Sequence, residues 1–164
     1  MFVKICKTGN FFFMTDTYDI AILREVQQNA KITVKELSEK VNLSPTPVFE
    51  RLKKLEKEGY ISGYHARLNP KMLNLNLTVM CYVSLRYHQK EMIEIFIREI
   101  VRFPEVRECF HIAGMYDFLL RVMVPDMEVY QHFVTHKLAS LENIGNVQSA
   151  FVMSEIKSEV GIQI

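Results

Sequence analysis

The sequence predicts an α+β protein, with an N-terminal winged helix-turn-helix followed by a C-terminal βαββαβ ferredoxin-like module. Three observations carry this. Two short helical patterns meet across about three residues at Asn42, Leu43 and Ser44, which is helix-turn-helix spacing. The apolar period changes from helical to alternating beyond Asn69-Pro70. Hydrophobic residues make up 49% of the 164 residues, with 7 Tyr and 11 Phe, enough to fill a core in each half.

The first helix is expected from about Asp16 to Gln28. Asp16 is a candidate cap, and Ile20, Leu23 and Gln27 recur at helical spacing with Ile22 and Val26 beside them. Asn29-Ala30-Lys31 breaks the pattern. Thr33 and Glu36 then form a capping-box signature for a short second helix, whose apolar side is Val34, Leu37 and Val41. Asn42 stands where a left-handed residue is wanted.

The third helix spans roughly Leu43 to Lys57. Ser44 is its expected cap, and Pro45 and Pro47 sit in the first turn, where a missing N–H costs least. Val48, Leu52 and Leu55 make one buried stripe. Thr46, Glu50, Lys53 and Lys57 point away from it, with Lys54 alongside. Gly59 ends the helix, and Tyr60–Leu68 alternates loosely enough around Gly63 to suggest a small β wing.

The expected domains are an extension over 1–13, a helix-turn-helix domain over 14–68, a linker over 69–75 and the ferredoxin-like domain over 76–164. In that second domain we expect strands at Leu77–Tyr87, Val106–Ala113, Tyr116–Val124 and Val147–Ile156. Helices are expected at Lys90–Phe103 and from Pro125-Asp126 to about Leu138, with Gly114-Met115 as the hairpin turn and Gly145 as a break.

Charge and composition bound the function. The net charge of +1 is low for a dedicated nucleic-acid binder, so basic charge has to act locally, through Arg51, Lys53, Lys54 and Lys57. The 3 cysteines are far apart and odd in number, which reads as reduced thiols in a cytoplasmic protein. No apolar run approaches the about 18 residues of a membrane span, so no membrane partner is expected. The first residues lack the pattern of a signal peptide, and Met14 competes with Met1 as the initiator. No P-loop, G-x-S-x-G, H-E-x-x-H or glycine-rich dinucleotide turn is present, so we expect no enzyme and no cofactor. His132 and His136 share a helix face, but two imidazoles alone do not define a metal site, and none is expected.

The stretch ELSEKVNLSPTPVFERLKKLEKEGYISGYHARLNP resembles the DNA-binding half of the Lrp/AsnC family of transcription regulators. Downstream, IAGMYDFLLRVMVPDMEVY resembles that family's effector-domain signature, a Gly-x-x-Asp turn between two strands. The resemblance runs from about Asp16 to the C-terminus. It implies binding of double-stranded DNA, response to a small-molecule amino-acid effector, and a homodimer that assembles further, commonly to an octamer, in a cytoplasmic, nucleoid-associated protein. Two positions depart from the family pattern: Asn42 stands for a frequent Gly, and Ala113 for a frequent Thr or Ser before the Gly114 turn.

Two groups of residues follow as candidate sites. Ser44, Thr46, Pro47, Arg51, Lys53 and Lys54 would face the major groove, with Thr46 nearest a base edge and the basic residues clamping phosphates. His111, Gly114, Met115, Tyr116 and Asp117 would line the effector site, with Phe151, Val152 and Met153 supplied by a neighbouring subunit. There Gly114 would let backbone approach the ligand and Asp117 would take an α-amino group. An amphipathic helix and an ordinary hairpin glycine are the plainer readings of the same residues. The alternative function is an RNA-binding or amino-acid-sensing module without DNA binding. The βαββαβ order is shared with the RNA-recognition motif, and Tyr116 and Phe118 lie on the third expected strand, but the basic residue followed by Gly-aromatic is missing, since Ala113 precedes Gly114 and Met115 follows it.

Overall fold

The computed structural model describes residues 16–158 and 161–164; the extension expected over 1–13 and the choice between Met1 and Met14 lie outside them. The chain forms two compact units, divided between Arg67 and Leu68, and the last residues, 158 and 161–164, pack with the first unit rather than the second.

In the first unit, α1 (Thr17–Gln28), α2 (Val34–Val41) and α3 (Pro45–Lys57) enclose a small core of Ile22, Val26, Leu37, Val41, Val48 and Leu55. Asp16 caps α1 as expected, accepting the N–H groups of Tyr18 and Asp19 at 2.9 Å each. The buried line of α1 is Asp19, Ile22 and Val26, one step round from the expected Ile20, Leu23 and Gln27. The Thr33–Glu36 capping box is complete, with Glu36 N donating to Thr33 Oγ1 at 3.2 Å and Thr33 N to Glu36 Oε2 at 2.8 Å. Asn42 is left-handed at φ 54, ψ 44.

Two local expectations change. Ser44 occupies the N-cap of α3 but its hydroxyl makes no cap bond. A cap hydroxyl takes the N–H of the second or third helical residue; Pro47, the third, has none, which leaves only the Thr46 N–H, and that bond is not made. The wing expected over Tyr60–Leu68 forms no strand ladder; from Ser62 the segment runs irregularly to a 3-10 turn at Pro70–Leu73. It is a single segment with no hairpin partner nearby in sequence, so its alternation has nothing to pair with.

The second unit is an antiparallel sheet in the order β2-β3-β1-β4. Its elements are β1 (Leu77–Leu85), α4 (Lys90–Ile100), β2 (Val106–His111), β3 (Phe118–Val124), α5 (Met127–His132) and β4 (Ile144–Phe151). Strict alternation sends Val79, Cys81, Val83 and Leu85 of β1, and Phe118, Leu120, Val122 and Val124 of β3, to one face. Phe96 and Ile100 of α4 and Tyr130, Phe133 and Leu138 beyond β3 close over that face to make the core. α5 continues as a π-helical turn, Phe133–Leu138, shown by Ala139 N reaching Val134 O at 2.9 Å.

Strand ends differ from the sequence reading for reasons of pairing. β4 starts at Ile144 because Gly145 falls where the β1–β4 register shifts, opposite Leu85. It ends at Phe151, opposite Val79, with one further bond beyond it, from Val152 N to Thr78 O at 3.0 Å. At the shift, buried Asn143 substitutes for the ladder: its side chain accepts Tyr87 N at 2.9 Å and donates to Tyr87 O at 2.8 Å.

Candidate DNA-reading and effector sites

The outward side of α3 is set by its buried side. Val48 and Leu55 are fully buried, which turns Thr46, Phe49, Glu50, Lys53, Lys54 and Lys57 to solvent. Ser44 is exposed at the entry, and Pro47 is half-buried beside it. A helix that presents its N-terminal turn and a row of lysines on one face can lie in a DNA major groove and meet phosphates at its margins.

Arg51 does something else. Its guanidinium bonds Asp16 Oδ2 and Asp19 Oδ1, each at 2.6 Å, tying α3 to the start of α1. Asp19 is 2% exposed, so the pair neutralises a carboxylate that is out of water. The two carboxylates hold the Arg51 pKa above its ordinary value, led by the bond to Asp19. The carboxyl of Asp16 is held below its usual range, led by the Asp19 backbone N–H and helped by Arg51.

Lys53 donates to Glu56 Oε2 at 3.0 Å and lies 5.8 Å from the centroid of the Phe49 ring. The Tyr64 hydroxyl donates to the other oxygen of Glu56 at 3.0 Å. Burial, with Glu56 adding, pushes the Tyr64 phenol up to about 12. Lys53 and Tyr64 together hold the Glu56 carboxyl low. Lys54 and Lys57 make no ion pair among the described residues. Phe49, 50% exposed in the middle of this face, is the residue that sequence reasoning missed. Its signal was available: it lies three residues from Thr46 and four from Lys53.

In the second unit, His111, Gly114, Met115, Tyr116 and Asp117 come together at the β2–β3 turn. Ile112 N donates to Asp117 O at 2.8 Å to close it, and Gly114 has φ 153, a conformation that side chains rarely adopt. The Asp117 carboxylate is already engaged: Oδ2 accepts Leu85 N at 2.7 Å and Oδ1 lies 2.9 Å from His88 Nε2. His111 stacks on Phe118 at 4.7 Å. Tyr116 leans on Tyr82, 5.4 Å between centroids, and its hydroxyl bonds Gln148. Met115 is 91% exposed.

Phe151, Val152 and Met153 are not brought to that turn within one chain. Phe151 is opposite Val79 and Phe118 opposite Val83, on the two strands that flank β1 and offset by four residues, about 13 Å, along it. Phe118 is 1% exposed and faces the helices, so it cannot stack a base, and Tyr116 lies in the turn before β3. The two aromatics read as stacking candidates therefore do not form a platform on β3. No group of three or more potential ligands that could hold a metal occurs among the described residues, and no helix there is long and apolar enough to cross a membrane.

A three-helix reader joined to a four-stranded antiparallel module defines a DNA-binding regulator with a sensor domain, and comparison with known proteins gives the particular family. Residues 78–162 match the Lrp/AsnC ligand binding domain, and residues 15–62 match a winged helix-turn-helix DNA-binding domain. The chain is 40% identical over 142 residues to the leucine-responsive regulatory protein of Haemophilus influenzae, covering 87% of this chain and 86% of that one. Among solved structures it is similar to a transcriptional regulator of Neisseria meningitidis in complex with L-Met, with TM-score 0.87 and 40% identity, covering 91% and 96% of the two chains. An AsnC family transcriptional regulator from Agrobacterium tumefaciens is also similar, with TM-score 0.86 and 36% identity over 91% and 97%. The chain belongs to the Lrp/AsnC family of transcriptional regulators, and its first unit is the DNA-binding one.

Proposed function

We propose that this regulator reads duplex DNA through the face of α3 bearing Thr46, Phe49, Lys53 and Lys54, and that a free amino acid binds at the Gly114–Asp117 turn. The observation that carries the reading half is the division of labour on α3. Arg51 is committed to Asp16 and Asp19, while Lys54 and Lys57 are exposed without ion pairs among the described residues and Thr46 stands at the helix entry. Thr46 and Pro47 approach base edges; Lys53 and Lys54 neutralise phosphates. Ser44, with no intrahelical cap bond, keeps its hydroxyl available to a phosphate.

The effector half rests on the open turn and on the relative from Neisseria meningitidis that holds L-Met. Backbone N–H groups around Gly114 take the carboxylate of the amino acid. Asp117, bonded to Leu85 N and His88, fixes the turn and offers its remaining lone pairs to the ammonium group. Phe151, Val152 and Met153 lie at the far end of their own sheet, so they serve the site of a second copy. Such a copy packs against the sheet face opposite the helices, where Met80, Tyr82, Leu119 and Met123 are only half covered. Further association of such dimers, up to an octamer, sets how many half-sites are engaged, and the effector shifts that equilibrium only as far as it prefers one assembly.

A thermal-shift screen of the twenty amino acids tests the effector claim. At least one raises the unfolding midpoint, because a ligand that binds only the native state stabilises it. No shift with any of them overturns the effector claim and leaves DNA reading standing.

A further inference from the structure

The sequence reading gave no function to the last residues of the chain, yet they are seated. Ile162 is held through its backbone by one side chain: Gln27 Nε2 donates to Ile162 O at 2.8 Å, and Ile162 N donates back to Gln27 Oε1 at 3.0 Å. Two residues on, Arg24 Nε donates to Ile164 O at 2.6 Å. Gln27 and Arg24 are both on α1, so an extended segment lies along that helix and is gripped at alternate residues.

The groove beneath is a cavity of about 490 Å³, lined by Ile20, Leu23 and Val26 of α1 and by Tyr60 and Ile61 beyond α3, with Ile162 and Ile164 at its edge. This explains why the apolar line of α1 is wider than its core demands. Ile22 serves the three-helix core, Val26 and half-buried Leu23 touch both core and groove, and half-buried Ile20 faces the groove. Ile164 is half-buried and Ile162 is 71% exposed, so backbone bonds rather than side-chain burial dominate the grip.

The approach is too close for any residue but glycine before Ile162. A Cβ on Gly161 would lie 2.4 Å from Gln27 Cδ, and Gly161 has φ 125. Moving Gln27 aside to make room would break both of its bonds to Ile162. We propose that α1 carries a peptide-binding groove whose ligand is the chain's own Gly161–Ile164, docked in cis, and that this strap is a second covalent connection into the DNA-reading unit besides the one at Leu68. None of Thr46, Phe49, Lys53 or Lys54 lines the groove, so the strap braces α1 without covering the face assigned to DNA. The inference is independent of what α3 binds.

Amide exchange on the intact protein tests it, with crosslinking to fix which chain supplies the segment. In the native protein the Ile162 amide exchanges at least about tenfold slower than in an unfolded peptide, and Gln27→Ala removes that protection while the amides of Val79, Cys81 and Val83 stay unmoved. An Ile162 amide already exchanging at the unfolded rate in the native protein overturns the docking. So does protection that survives both Gln27→Ala and Gly161→Val. A short thiol crosslinker applied to Ala30→Cys/Ile162→Cys, two positions that line the same groove with Gln27 left in place, yields a product of monomer mass; a product of dimer mass assigns the ligand to a second copy and overturns docking in cis.

Discussion

Arg51 shows how a residue's chemistry can be right and its assignment incomplete. A guanidinium on the outer side of a reader helix suggests a phosphate clamp, but here it spans Asp16 and buried Asp19. Arg51→Ala should therefore destabilise the DNA-binding unit by about 2–3 kcal/mol, below the about 3–5 of a fully buried pair because Arg51 still reaches solvent. Urea unfolding followed on that unit checks it; loss of DNA affinity with unchanged stability would return Arg51 to the phosphate clamps. The acidic groups of this unit give a pH dependence. Asp16, Glu36 and Glu56 are all held below their ordinary values by backbone or side-chain donors. Their contribution is complete above the unfolded pKa near 4 and is lost as pH falls through the depressed native values. Helix melting between pH 6 and 3 should show this loss, and Asp16→Asn should blunt it. The thiols behave oppositely: burial pushes buried Cys81 and half-buried Cys109 up to about 11, so both should resist alkylation at pH 8 in peptide mass mapping of the folded protein.

At the scale of elements, Asn42 is the turn on which α2 and α3 depend. Its left-handed backbone costs nothing to glycine and about 1–2 kcal/mol to a β-branched residue, so Asn42→Gly should melt at or above the native temperature and Asn42→Val well below it. Much at this scale was legible in the sequence because the signals were local. The Thr33–Glu36 box, the Asp16 cap, the Pro45 helix start and the β-α-β-β-α-β order all follow from residues a few positions apart. What escaped was decided by partners. The Ser44 hydroxyl makes no cap bond, Pro47 having removed one of its two candidate donors, and Tyr60–Leu68 has no strand to pair with among the described residues. The start of β4 moved because the register shift between Ser84 and Leu85 admits Gly145.

For the whole molecule, the sequence shows two units but not how their parts are shared out. The last residues read as the end of the second domain and instead pack on the first. The proposed effector site was legible as a list of residues, yet one chain assembles only part of it, since sheet register separates Phe151 from the Gly114 turn. Low net charge was a weak pointer to DNA; in the first unit Asp16 and Asp19 pair with Arg51, Glu25 with Lys40 and Glu56 with Lys53, while Lys54 and Lys57 of α3 stay exposed. The most direct measurement is the salt dependence of duplex DNA binding, by fluorescence anisotropy, for the native protein and for Lys53→Ala/Lys54→Ala. The account predicts weaker binding to every sequence and a log–log salt slope smaller by about two for each reader engaged, since each phosphate contact contributes about 0.9. Unchanged affinity and an unchanged slope would contradict the assignment of this face of α3 to DNA.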